Sequence, residues 1–365
     1  MAYFQGMFLV DRLRKCTQLF EPENIDAFIT FYPVHLQYLI GFTGSSGALV
    51  VHPDGAVFFT DGRYTEQARE EVHGAEIFIT ARGQTLVEAV AKSNCIPPGR
   101  RIGFEASRLS FQQVEKLKTS ISSSTWIPIQ SVVDRLRRKK SSEEIVAIQQ
   151  AIRITETAFE ETVNRIKPGV SERELAIELD HLLRQSGADG TGFETIVAFG
   201  ERSALPHARP TDRALRSGEA VLIDCGAVVN GYHADMTRTL FAGRAPEDFR
   251  SAYDTVRRAH RFAVESAAPG TSCRQMDDAV RRELGRFADF FSHSLGHGLG
   301  LDVHETPTLS AASDETLQTG DVVTIEPGVY FPGQFGIRIE NDVWISDSGP
   351  VDLMNTTIEL IELAV

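Results

Sequence analysis

The sequence predicts an α/β protein of two domains, the second of them an α+β unit built twice over about a pseudo-twofold axis. Three observations point there. A chain of 365 residues is longer than one typical domain. Helix and strand signals alternate over residues 7–132, ahead of a basic passage at 133–140. From residue 141 to residue 365, a plan of helix, helix, strand, strand occurs twice. Leu215-Arg-Ser-Gly-Glu-Ala-Val-Leu-Ile-Asp-Cys-Gly226 aligns without a gap on Leu317-Gln-Thr-Gly-Asp-Val-Val-Thr-Ile-Glu-Pro-Gly328, at an offset of 102. A solenoid needs more copies, so two imply one domain with its halves facing each other.

Ala2-Tyr-Phe-Gln-Gly6 before Met7 reads as an expression scar, and residues 1–6 are set apart from the fold. Asp11 to Phe20 has the spacing of an amphipathic helix, and Ala27-Phe-Ile-Thr-Phe31 that of a short apolar strand. Ala48–Val51 and Val57–Thr60 flank a Pro53-Asp54-Gly55 turn. Gly41-Phe-Thr-Gly-Ser-Ser-Gly47 is rich in glycine but lacks the lysine and the following helix of a phosphate loop. Val132-Val-Asp-Arg-Leu-Arg-Arg-Lys-Lys140 reads as a solvated linker. A capping box at Ser141–Glu144 opens a helix carrying Ile145, Ile148, Ile152, Phe159, Val163 and Ile166, which Pro168-Gly169 stops. A second box at Ser171–Glu174 opens the next helix, to Gly187. The plan returns with Phe249, Tyr253, Val256 and Ala263 before Pro269-Gly270, and another helix starts near Ser272.

Hydrophobic residues at 42% and charged residues at 24% suit a globular protein with a large core. The formal charge of −13 argues against a nucleic-acid partner. No apolar run approaches the roughly 20 residues of a membrane span, and no signal peptide precedes the first domain. Cys16, Cys95, Cys225 and Cys273 stand singly, as in a reducing cytoplasm.

The aligned strands each end in an acid, Asp224 and Glu326. Gly231-Tyr-His-Ala-Asp235 matches Gly336-Ile-Arg-Ile-Glu340 at an offset of 105 and adds a second acid to each half. Four carboxylates converging between the halves could not all stay ionised without a cation. Leu205-Pro-His207 resembles Asp302-Val-His304 at an offset of 97, but only the second half also holds His293 and His297, with Gly296, Gly298 and Gly300 around the latter. Asp224, Asp235, His297, Glu326 and Glu340 suffice for two divalent ions about 3.5 to 4 Å apart. Four oxygen donors and one imidazole favour Mn²⁺, with Co²⁺, Fe²⁺ and Zn²⁺ as alternatives.

Asp224-Cys-Gly, Asp235-Met-Thr-Arg-Thr239, Gly296-His-Gly-Leu-Gly300, Thr324-Ile-Glu-Pro-Gly328 and Arg338-Ile-Glu340 resemble, in order and spacing, the motifs of the pita-bread metallopeptidases. Within these the chain is most similar to the Xaa-Pro peptidases, aminopeptidase P and prolidase. Tyr38-Leu-Ile-Gly-Phe-Thr-Gly44 and Phe59-Thr-Asp-Gly-Arg-Tyr-Thr-Glu66 resemble the creatinase-type N-terminal domain. The resemblance implies hydrolysis of the bond between an N-terminal residue and proline by a hydroxide between two ions. It implies that Asp224 holds one ion, that His297 and Glu326 hold the other, and that Asp235 and Glu340 bridge. Glu326 would also move a proton. His207 and His304 would hold the scissile carbonyl, and His293 the proline side, with Arg338 in a hydrogen-bond relay and Tyr232 in the substrate wall. A cytoplasmic homodimer acting on peptides with proline second is the family expectation. The rival readings are a methionyl-type aminopeptidase, which would share the five ligands, and a binding relative that has lost catalysis.

Overall fold

The computed structural model describes residues 2–130 and 132–364, with residues 2–8 described as backbone only. The chain divides into two compact units, one ending at Arg137 and one beginning at Arg138.

In the first unit, helices α1 (Ala2–Gln18), α2 (Pro33–Ile40), α3 (Thr65–Glu71), α4 (Leu86–Lys92), α5 (Phe111–Ser120) and α6 (Val132–Arg138, running into the second unit) accompany one six-stranded sheet. Its strands are β1 (Ala27–Thr30), β2 (Ala48–His52), β3 (Gly55–Thr60), β4 (Glu76–Ile79), β5 (Arg101–Glu105) and β6 (Thr125–Ile129), ordered β4-β3-β2-β1-β5-β6. The Pro53-Asp54 turn closes the antiparallel β2–β3 hairpin, with His52 opposite Gly55. Met1 lies outside the described residues, and the backbone of residues 2–6 is helical, within α1. One expectation changes. Residues 133–140 are not a solvated linker: residues 133–138 belong to α6, whose Val132, Val133 and Arg137 are buried, and Lys140 beyond it is buried as well. The basic residues can leave water because acids meet them. Arg137 reaches Asp134, Arg138 pairs with Asp321 at 2.8 Å and Glu315 at 3.0 Å, and Lys140 pairs with Glu305 at 2.9 Å.

The second unit opens on α7 (Ser142–Val163) and α8 (Glu172–Gln185), each started by its capping box. Strands β7 (Gly190–Thr191), β8 (Ile196–Phe199), β9 (Ala220–Cys225), β10 (Ala227–Val229), β11 (Tyr232–His233) and β12 (Met236–Ala242) complete the first half. The second half repeats it with α9 (Glu247–Ser266), α10 (Cys273–Leu284), β13 (Gly296–Gly298), β14 (Glu305–Leu309), β15 (Val322–Ile325), β16 (Gly328–Phe331), β17 (Phe335–Arg338), β18 (Asn341–Ser346) and β19 (Gly349–Asp352). The antiparallel order β12-β9-β8 corresponds to β18-β15-β13, and the β10–β11 hairpin to β16–β17. Even isolated bridges correspond: Ser171 to Ala214 in one half, Ser272 to Thr316 in the other.

Helix α9 carries Phe249, Ala252, Tyr253, Val256, Ala259 and Ala263 on one face, packed with residues of α10, β15 and β17 in a single core. His260 shares that interior, and neither ring nitrogen has a hydrogen-bond partner. Burial, reinforced by the charge of Arg238, pushes its pKa from 6.5 down to about 3. The unfolded chain therefore takes up a proton below pH 6.5 that the folded chain refuses, and stability is lost as pH falls through that window. Relative to His260→Leu, the wild type should lose about 2 kcal/mol between pH 7 and pH 5, at a limiting slope of about 1.4 kcal/mol per pH unit. Urea unfolding of both proteins at the two pH values measures it, and a gap that does not widen toward acid would contradict a neutral, buried His260.

Candidate metal centre

The four repeated acids lie where each half leaves a strand or hairpin. Asp224 is on β9 and Asp235 between β11 and β12, while Glu326 follows β15 and Glu340 separates β17 from β18. Asp224, Asp235 and Glu340 are buried. The glycine two residues after the first acid of each half has a steric cause. A side chain at Gly226 would stand 1.8 Å from the Ala234 carbonyl oxygen, and one at Gly328 would stand 3.0 Å from that of Ile337. Removing the side chain lets the following hairpin fold back tightly on the acid.

Alternation along β12 then ties the halves together. Thr237 Oγ1 donates to Glu340 Oε2 at 2.6 Å and accepts from Arg338 Nε at 2.9 Å. Thr239 Oγ1 exchanges two 3.0 Å hydrogen bonds with the backbone of Arg338. Between them Arg238 donates to the Glu340 carbonyl oxygen at 2.7 Å and to Asn341 Oδ1 at 2.9 Å. Arg338 in turn reaches back across the pseudo-axis to Asp224 Oδ2, at 2.5 Å.

One ligating atom each from Asp235, His297 and Glu340 lies within 4.8 Å of the others. His297 Nε2 is also 3.6 Å from Glu326 Oε1. Asp224 joins the cluster electrically: its charge raises the pKa of Asp235, Glu326 and Glu340. Burial is the larger cause in all three, holding Asp235 and Glu326 well above the carboxylate range and Glu340 at about 8. Asp224 Oδ1 is buried without a hydrogen-bond partner, although its other oxygen is engaged by Arg338. His297 donates from Nδ1 to the Gly298 carbonyl at 3.0 Å, and burial lowers its pKa to about 4, so Nε2 faces the acids as a free lone pair. An orphaned carboxylate oxygen, crowded acids short of cations and a neutral imidazole oriented toward them fit divalent metal ions.

The remaining predicted residues fall on two sides. His293 donates from Nδ1 to the Ser294 carbonyl at 2.8 Å and accepts at Nε2 from the Tyr330 hydroxyl at 2.7 Å. Burial, then the nearby Arg338, lowers its pKa to about 3. Tyr330 also accepts from Arg338 Nη1 at 2.8 Å, which completes a chain from His293 to Asp224. His304 packs edge-on against His297, with ring centroids 4.3 Å apart. His207 is exposed in the turn after a short helix at Gly200–Ala204, and Arg338 Nη1 holds that turn through the Pro206 carbonyl at 3.2 Å. Charge on His207 is felt by both His293 and His304. Tyr232 is buried and its hydroxyl donates to Glu144 Oε1 at 2.8 Å, which ties it to the α7 cap.

With this geometry in place, comparison with known proteins decides the family. Residues 146–347 match the model of metallopeptidase family M24, and residues 12–139 match the Creatinase/Prolidase N-terminal domain. The chain belongs to metallopeptidase family M24. Its two units have the architecture of that family, a creatinase-type N-terminal domain followed by the pita-bread domain. This M24 chain is 34% identical over 355 residues to an Xaa-Pro dipeptidase of Pyrococcus furiosus, covering 96% of this chain and 99% of that protein. A solved Xaa-Pro dipeptidase from Bacillus anthracis superposes with a TM-score of 0.93 at 33% identity, covering 97% of this chain and 100% of that one. An X-Pro aminopeptidase from Thermotoga maritima gives 0.87 at 34% identity, with 93% and 98% covered.

Three residues that sequence reasoning missed now join the M24 site. Tyr330 stands four residues after Glu326. Thr237 is the alternate position in Asp235-Met-Thr-Arg-Thr239, a period-two signal that a strand reading could have found. Asp342 accepts from the Asp235 backbone N–H at 3.1 Å, and burial holds its own carboxyl well above the usual range. Because carboxyls such as Glu340 retain protons near pH 7, divalent ions binding the metal-free protein must displace them. Calorimetry with Mn²⁺ in buffers of different ionisation enthalpy should show net proton release at pH 7, with affinity rising from pH 6 to pH 8. Proton uptake would contradict the protonated cluster. Asp235→Ala should reduce bound metal measured by elemental analysis.

Proposed function

We propose that this M24 metallopeptidase removes the residue preceding proline at a peptide N-terminus, from Xaa-Pro dipeptides or longer Xaa-Pro peptides. The observation that carries the reading is similarity along nearly the whole chain to proteins of that specificity, around a donor cluster that the hydrogen-bonded chain His293–Tyr330–Arg338–Asp224 joins to a neutral imidazole. An Xaa-Pro bond is a tertiary amide, so its leaving nitrogen carries no hydrogen and must receive a proton from the enzyme. Similarity to the Xaa-Pro dipeptidase and the X-Pro aminopeptidase above supports the same substrate class.

Asp224, Asp235, His297, Glu326 and Glu340 would hold two divalent ions, with Mn²⁺ favoured by the predominantly oxygen donor set. Such ions supply a water acidified toward neutrality as the nucleophile. The residues around it do the rest. Glu326, 3.7 Å from His293, takes up the proton of the attacking water and passes it to the proline nitrogen. His304 and His207 hold the scissile carbonyl and the charge that develops on its oxygen. His293, fixed at both nitrogens, shapes the proline side. Arg338 offsets the charge of Asp224 and anchors both Tyr330 and the His207 turn. A cytoplasmic homodimer completes the reading. Its compartment is supported by four free cysteines and by the lack, among the described residues, of a helix long and apolar enough to cross a membrane.

Release of the N-terminal residue from Xaa-Pro, Xaa-Pro-Yaa and Met-Ala-Yaa peptides tests the assignment and separates dipeptidase from aminopeptidase. Preference for Met-Ala-Yaa would overturn it. His304→Ala should keep both ions yet lose about 10² to 10⁴ in kcat. Tyr330→Phe, which cuts the relay without removing a donor to metal, should lose about tenfold or more in kcat at unchanged metal content. Wild-type turnover in either variant would remove that residue from the mechanism.

A further inference from the structure

The loop that presents His304 is built around a buried ion pair. Glu305 Oε2 accepts from Lys140 Nζ at 2.9 Å, and Glu305 Oε1 accepts from the Asp302 backbone N–H at 3.1 Å. The side chains of Lys140 and Glu305 are only 1% and 6% exposed, so water contributes little to either charge. Gly300 makes room for the carboxylate, because a side chain there would stand 2.7 and 2.8 Å from the two Glu305 oxygens. The Gly300 N–H donates to the Asp302 carbonyl, and the Gly300 carbonyl accepts from the His233 backbone N–H at 2.9 Å. The loop from 300 to 305 is thus closed on itself by Glu305, and Lys140 fixes Glu305. Lys140 is held in its turn, its N–H donating to the Gly320 carbonyl at 2.9 Å.

We infer that Lys140 is a positioning residue for His304, acting through the Glu305 carboxylate. The inference deepens the functional reading above and rests on it for the role of His304. Lys140 touches no reacting atom. It removes the freedom of the loop that carries the imidazole, which stands edge-on to His297 and must keep its place to within a fraction of an ångström. An ion pair kept for stability alone would leave the turnover of a folded variant untouched.

The test uses the full-length protein loaded with Mn²⁺, in three variants: Lys140→Met, Glu305→Gln and the double variant. Either single change risks stranding a group without its partner, so the double variant, with neither charge, guards against failure to fold. Each folded variant should show faster amide hydrogen exchange in residues 300–305, with unchanged exchange in α10. On an Xaa-Pro dipeptide, kcat should fall about 10- to 100-fold while KM stays within about threefold and bound Mn²⁺ is unchanged. Wild-type protection of residues 300–305 in a folded variant overturns the inference, whatever the activity, and so does wild-type kcat. If the wild type itself does not cleave Xaa-Pro substrates, the functional reading fails, and the exchange measurement still decides whether Lys140 holds the loop.

Discussion

The pita-bread domain depends on one unfavourable arrangement, four carboxyl groups brought out of water into one space from two halves of the fold. Left alone, such groups repel one another and lose hydration, and the fold would gain by separating them. Two devices oppose this. Arg338 places one permanent positive charge against Asp224, and the Thr237, Arg238 and Thr239 side chains grip Arg338–Glu340 from both faces of β12. The contacts that orient the acids are thus also contacts that join the halves. Divalent cations finish the compensation, so metal affinity and the integrity of the domain become coupled quantities.

The sequence made the symmetric part of this legible, and the reason is local. Acids at strand ends, a glycine two residues on and serine–glutamate capping boxes are all features of a few consecutive residues, and each is formed as expected. What could not be read depends on partners far along the chain. Tyr330 looks like any strand aromatic until its hydroxyl meets His293 and Arg338. Tyr232, beside the motif acids, gives no local sign that its hydroxyl bonds Glu144, 88 residues earlier. The run Arg137-Arg138-Lys139-Lys140 has the composition of a solvated joint, and Asp321, Glu315 and Glu305, more than 160 residues away, are what meet Arg138 and Lys140.

The glycines around His297 show how a repeat becomes asymmetric. In the first half, β8 reads Ile196-Val-Ala-Phe199 and packs its side chains into the core. Its counterpart β13 reads Gly296-His-Gly298, and a side chain at either glycine would stand 2.0 or 2.3 Å from the carbonyl of Thr324 or Thr306. The strand is pressed between β14 and β15 with no room for anything but the imidazole. The glycines let neighbouring backbone pass at that distance. Close approach costs β13 its own hydrophobic contribution, which the core under α9 and α10 supplies instead.

This exchange explains why His297 is not duplicated along with the acids. A carboxylate at a strand end needs only a tight hairpin behind it, and both halves can provide one. An imidazole placed within the sheet, as His297 is, needs flanking positions without side chains and a carbonyl to fix its tautomer. Those requirements reach to Thr306 and Thr324, whose carbonyls take the space, and supplying them twice would cost the first half the packing of β8. Specialising one half keeps the first as a packed wall, free to present acids and β12, while the second carries His293 and His297.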